Sequence, residues 1–164
     1  MTSTAPGPET RLAELGVTLP GPPEPAASYV PWRAAGGLVF TAGQIPLVDG
    51  RLPRSGKLGA DLTTEEGVEQ ARTAAINVLA VAKAAAGALA RVRVAKVTVF
   101  VASAPGFTEQ HLVANGASEL LSAVLGEAGA HARSAVGVPS LPLDSPVEVE
   151  AVLEMVPGSG RGRG

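Results

Sequence analysis

An arginine, a set of strand glutamates and a lone tyrosine are the residues of this chain whose types and placing suit chemistry on a small carboxylate. The run His-Ala-Arg-Ser-Ala-Val at 131–136 offers one guanidinium between apolar neighbours. The run Val-Glu-Val-Glu-Ala at 147–151 offers alternating glutamates a short distance on. A guanidinium holds a carboxylate by two parallel hydrogen bonds. A glutamate facing the same cavity could handle a proton or a water. Arg133 and one of these strand glutamates are therefore a candidate catalytic pair. Arg133 reads equally well as half of a structural salt bridge, because both roles need the same donor fork. Glu148, Glu150 and Glu154 should share one strand face. For Glu150 and Glu154 an exposed polar face is the plainer reading.

Tyr29 is the single tyrosine. Its phenol could donate to a substrate carboxylate, and half-buried packing is as common. Trp32 lies at an odd offset from Tyr29, so it should point to the opposite side, into the core or an interface. Gly43 sits where a strand reads on to Gln44, a place for a bulge or a close backbone approach.

Other chemistries find little support. There are no cysteines, which excludes disulfides, thiolate zinc sites and cysteine nucleophiles. His111 and His131 are the two histidines, and without an HxxxH spacing no metal site is expected. There is no G-x-S-x-G nucleophile elbow, no G-x-G-x-x-G and no P-loop, so neither a serine hydrolase nor a nucleotide cofactor is expected. The net charge is −2 and no basic stripe appears, which argues against nucleic acid as the main partner. The Gly-Arg-Gly-Arg-Gly tail at 160–164 reads as a short solvated, disordered segment. No signal peptide or apolar span is legible, so the default location is cytoplasmic.

The 164 residues predict one domain with a real core. Hydrophobic residues make up 46% and aromatics only 3%, so Val, Leu and Ala must fill that core. The low charged fraction, 17%, leaves little polar surface and points to a buried subunit interface. Along the chain, residues 1–8 read as mobile, 8–16 as a short helix opened by proline and closed by Gly16, and 20–25 as an extended proline connector. Strands are expected at 29–33 and 37–42, around a turn at 34–37. Residues 46–62 read as a long loop. Thr63 with Glu66 fits a capping box for a helix to about 86, with Val68, Ala71, Ala75, Leu79 and Ala82 on its inner face. A strand follows at 94–101, with Ala95, Val97, Val99 and Val101 on one face. A helix at about 108–128, a short strand at 134–138 and a final strand at 147–155 complete the order. Two helices over one face of a mixed sheet make a two-layer α+β domain. The other face must be wet or covered by a partner.

These residues resemble the Rid (reactive intermediate deaminase) family, also called YjgF-type and, in older usage, L-PSP endoribonuclease. The matching pieces are Gly37-Leu-Val-Phe-Thr-Ala-Gly-Gln-Ile-Pro46, Val97-Thr-Val-Phe-Val101, Ala132-Arg-Ser-Ala-Val136, Leu141-Pro142 and Val147-Glu-Val-Glu-Ala151, in register over about 27–155. The resemblance divides the chain into an N-terminal extension (1–26), a Rid-like domain (27–156) and a tail (157–164). It implies a chorismate-mutase-like α+β fold of the bacillus type, in a homotrimer with a barrel-like core and sites between neighbouring subunits. It places the substrate carboxylate on Arg133, beside Ser134, and the substrate amine and water near Glu148, which it selects as the glutamate of the catalytic pair. It adds Tyr29, Gly43 and Asn115 to the substrate-binding set. The implied reaction is hydrolysis of a 2-aminoacrylate-type enamine, through its imine, to a 2-keto acid and ammonia, without metal or cofactor. A non-catalytic carboxylate-binding regulator and a pathway enzyme for another imine remain alternatives. An endoribonuclease is the least supported, with no histidine pair and no basic groove. The family's usual Gly-Pro before the tyrosine is Ala27-Ser28 here, and a common cysteine is Ala135. With its extra N-terminal helix and long 46–62 loop, the chain is similar to a longer branch of the family.

Overall fold

A capping box starts the longest element. In the computed structural model, which describes residues 5–21, 24 and 28–157, the Thr63 hydroxyl accepts from the Glu66 N–H at 3.2 Å, and the Glu66 carboxylate accepts from the Thr63 N–H at 2.9 Å. Two of the orphan amides at a helix start are thereby satisfied. The helix runs Thr64–Ala86 and stops at Gly87, whose φ of 80° is left-handed. All but the first residue of the disordered tail expected at 157–164, the first four residues and parts of the 20–25 connector lie outside the described residues.

The elements are α1 (Pro8–Glu14), β1 (Trp32–Ala35), β2 (Leu38–Thr41), α2 (Thr64–Ala86), β3 (Val92–Ala102), α3 (Gln110–Leu125), β4 (Ala132–Val138) and β5 (Val147–Met155). The sheet order is β1-β2-β5-β3-β4. β3 and β4 run parallel through the α3 crossover, and the other pairs are antiparallel. This is the mixed sheet and two-layer α+β architecture expected. α1 adds to the helix layer: Leu12 is buried, and Arg11 donates to the Val124 carbonyl on α3.

Three expectations need correction. The first strand begins at Trp32, not at Tyr29. Pro31 has no N–H to offer a ladder, although its carbonyl still accepts from Ala42 at 2.9 Å. The hairpin then turns tightly through Gly36 and Gly37, both at positive φ, as a two-residue loop of this hand requires. On β3, Ala95 is exposed and Val94 buried. A register shift between Val94 and Lys96 is the cause: the bulge moves the inward positions from Val92 and Val94 to Val97, Val99 and Val101. On α2, Val68 is only half-buried, whereas Ala71, Ala75, Leu79 and Ala82 are buried as expected.

The core lies between helices and sheet. Val97, Val99, Val101, Val147, Val149 and Leu153 are buried against α2 and α3. Small residues let the layers close up. A Cβ at Gly116 on α3 would lie 2.8 Å from the Val68 carbonyl carbon, so the two helices cross at backbone distance. The 46–62 segment is tied down at Leu58, fully buried, which donates to the Ala102 carbonyl and accepts from the Ala104 N–H. Among the described residues no helix covers the opposite sheet face, and Phe40 and Val136 are exposed there.

Candidate functional site

Arg133 lies on the edge strand β4, in register with Val97 and Ala151, both buried beneath the helices. Residues in one row of a sheet share a face, so Arg133 points to the helix side. α3 receives it with three acceptors at helical spacing. Nη1 donates to Asn115 Oδ1 at 3.0 Å and to Ser118 Oγ at 3.1 Å, and Nη2 donates to the His111 carbonyl at 3.0 Å. All three acceptors are neutral. Among the described residues the salt bridge is Arg54–Glu66, so no carboxylate there neutralises Arg133. A guanidinium has five N–H donors. The three bonds leave Nε–H and one Nη2 proton for a ligand, the number a single carboxylate accepts side-on.

Glu148 lies in register with Phe100, which in turn pairs with Val136. That row belongs to the open face. The glutamate is half-buried, and its pKa is raised, first by desolvation and then by the neighbouring charge of Glu150. Its carboxyl group leans on Gly43: a Cβ there would fall 2.8 Å from Glu148 Cδ and closer still to Oε1. The close approach expected at Gly43 is thus present, and what approaches is a side chain. The 43–47 segment is pinned from α2 by the buried Asn77, whose Nδ2 donates to the carbonyls of Ile45 (2.9 Å) and Leu47 (3.1 Å).

The structure therefore brings the candidates together in two groups. Arg133 joins Asn115 under the helices, and Glu148 joins Gly43 on the open face. Ser134 falls with the second group, where its Oγ accepts from Lys96 Nζ at 2.8 Å. Tyr29 is exposed in the bend before β1. The shared cavity expected for Arg133 and Glu148 does not exist within one chain. Glu148 stands level with Val136, three residues from Arg133, and an odd offset along a strand reverses the face. Ser118, Asn77 and Lys96 escaped sequence reasoning, which weighed His131 only as a metal ligand. The His111–Asn115–Ser118 spacing was the available signal for Ser118, and an asparagine in an alanine-rich helix for Asn77.

Known proteins share this arrangement of elements. The family model described as "YjgF/chorismate mutase-like, putative endoribonuclease" matches residues 9–155. The protein TCP17 of Trypanosoma cruzi is 47% identical over 146 residues, covering 88% of this chain and 91% of that one. A solved Shewanella oneidensis structure bearing the same endoribonuclease description is 34% identical, with a TM-score of 0.89 over 92% of this chain and all of the other. TdcF of Escherichia coli, solved with bound serine, is 28% identical, with a TM-score of 0.59 over 83% of this chain and 92% of that one.

Proposed function

The chain belongs to the YjgF/chorismate mutase-like family, and on that premise we propose that it hydrolyses enamine and imine intermediates of the 2-aminoacrylate type to 2-keto acids and ammonia. The observation that carries this reading is Arg133, held by three neutral acceptors with two donors left over. Such a group recognises a carboxylate without having to break an ion pair first. The serine bound by TdcF is a small carboxylate-bearing molecule, which supports the same ligand class.

In this reading the protein is a homotrimer, and its site forms between copies. The opposite faces of Arg133 and Glu148 favour it: the Arg133 of one subunit meets the Glu148 of a neighbour whose open face packs alongside. Asn115 holds Arg133 in place. Tyr29 and Ser134 line the cleft, and Gly43 keeps space for the Glu148 carboxylate. After the enamine takes a proton from solvent on carbon, Arg133 orients the resulting iminium by its carboxylate. Water adds to the iminium carbon, one of its protons passing to Glu148, while the C=N π electrons move to nitrogen and leave a neutral amine. Glu148 then returns the proton to that amine; the C–N bond breaks, ammonia leaves and the hydroxyl gives its proton to solvent. A carboxyl group with a raised pKa is suited to exchanging protons in this way.

A second reading, a carboxylate-binding regulator without turnover, is favoured by the binding of serine to TdcF. One experiment separates the two. Protein is incubated with 2-aminoacrylate generated in situ, and with bulkier enamines, and the imine is trapped with semicarbazide. Faster loss of the trapped species that depends on Arg133 supports the deaminase. Keto-acid binding with no change in trapping supports the regulator.

A further inference from the structure

We infer that His131, acting through Ser118, is a positioning residue for the Arg133 guanidinium. The inference rests on the reading of Arg133 as the carboxylate clamp. His131 Nδ1 lies 2.6 Å from the Gly129 carbonyl oxygen. A carbonyl only accepts, so Nδ1 carries the ring proton. In the neutral ring Nε2 is then a lone pair, and it lies 2.9 Å from Ser118 Oγ. The serine hydroxyl donates to it. With its proton committed to His131, Ser118 presents only lone pairs to Arg133 Nη1, 3.1 Å away. With the ring neutral the chain runs one way: Arg133 donates to Ser118, Ser118 to His131, and His131 to the Gly129 backbone.

Each link has a rigid support. Gly129 sits where a Cβ would fall 2.8 Å from the Leu121 carbonyl carbon, so the turn that supplies the terminal carbonyl is packed directly on α3. Ser118 is one α3 turn beyond Asn115, the other side chain that grips Nη1. Without an acceptor at His131, the Ser118 hydroxyl is free to turn toward the carbonyl one helical turn back, as mid-helix serines do. Its lone pairs then leave Nη1, and Arg133 keeps only Asn115 and the His111 carbonyl. The fork left for a ligand is no longer held in one plane, and a bidentate contact depends on that plane.

The test uses the full chain and four variants. The Arg133 Nε–H resonance reports guanidinium order directly, and titration with 2-oxobutyrate reports carboxylate binding. His131→Leu and Ser118→Ala should each broaden that resonance and weaken binding about tenfold. The two effects should not multiply in the double variant, because they cut one chain. His131→Gln, which returns an acceptor within reach of Ser118, should recover most of both. A sharp, unmoved Arg133 signal in His131→Leu overturns the inference, whatever the ligand does. Arg133→Ala is the separate control. If it keeps normal 2-oxobutyrate affinity, the clamp reading fails, while the resonance still decides whether His131 orders the arginine.

Discussion

The Glu148 carboxyl group occupies the volume that any side chain at position 43 would need: a Cβ on Gly43 would lie 2.8 Å from Glu148 Cδ. Gly43 does not have a left-handed backbone, so the restriction there is one of space. The atoms in the way are the far end of a flexible side chain, so Gly43→Ala should push the Glu148 carboxyl group aside at a cost of at most about 1 kcal/mol. In a Glu148→Ala background even that cost should vanish. Denaturant unfolding of the two singles and the double gives the coupling. Additive losses would mean that the two residues do not compete for this space.

The raised pKa of Glu148 has a stability consequence. Burial, and secondarily Glu150, make the carboxyl group harder to ionise in the folded chain than in the unfolded one. The ionised form therefore costs stability above the folded pKa. That cost fades as pH falls toward the unfolded value, below which both states are protonated. Glu148→Gln should be more stable than the parent near neutral pH, and the gap should close in acid. Thermal unfolding across pH measures it; a gap independent of pH, or of opposite sign, contradicts the assignment.

Asn77 links α2 to the segment that carries Gly43. Removing its amide leaves the Ile45 and Leu47 carbonyls without their partner. Asn77→Ala should cost about 1–3 kcal/mol and speed amide hydrogen exchange locally around residues 43–48. Exchange that stays slow in that segment would show that other contacts hold it.

Leu143 and Asp144 both have φ of 58°, and Leu143 is 73% exposed. A leucine in the left-handed region is strained, and so little burial gives its side chain scant compensation. Leu143→Gly should stabilise the protein by about 1 kcal/mol. Loss of stability instead would place the leucine side chain in a contact between copies.

Much of this fold was legible locally. Thr63 and Glu66 announced the start of α2. Gly36-Gly37 announced the hairpin turn. The alternation of Val147, Val149, Ala151 and Leu153 with the glutamates announced the two faces of β5. What was not legible depends on register between strands far apart in sequence. The bulge at Val94/Lys96 flips Ala95 outward, and no local pattern marks it. The faces of Arg133 and Glu148 follow from how β4, β3 and β5 align, so the sequence suggested a shared cavity where one chain has none. The Ser118–His131 link stayed hidden because it joins a helix to the turn beyond it. Only the folded geometry brings Ser118 Oγ within 2.9 Å of the imidazole.

The central claim is that Arg133 of one copy works with Glu148 of another. Subunit mixing tests it most directly. Arg133→Ala and Glu148→Gln proteins, each expected to be inactive alone, are co-refolded in equal amounts and assayed for loss of semicarbazide-trapped imine. A site built from two neighbours regains both groups in roughly one position in four on random mixing of the proposed trimer, so measurable activity should return. If the mixture stays as inactive as its parents while mixed trimers are demonstrably formed, the two residues do not act across a subunit boundary and the account is wrong.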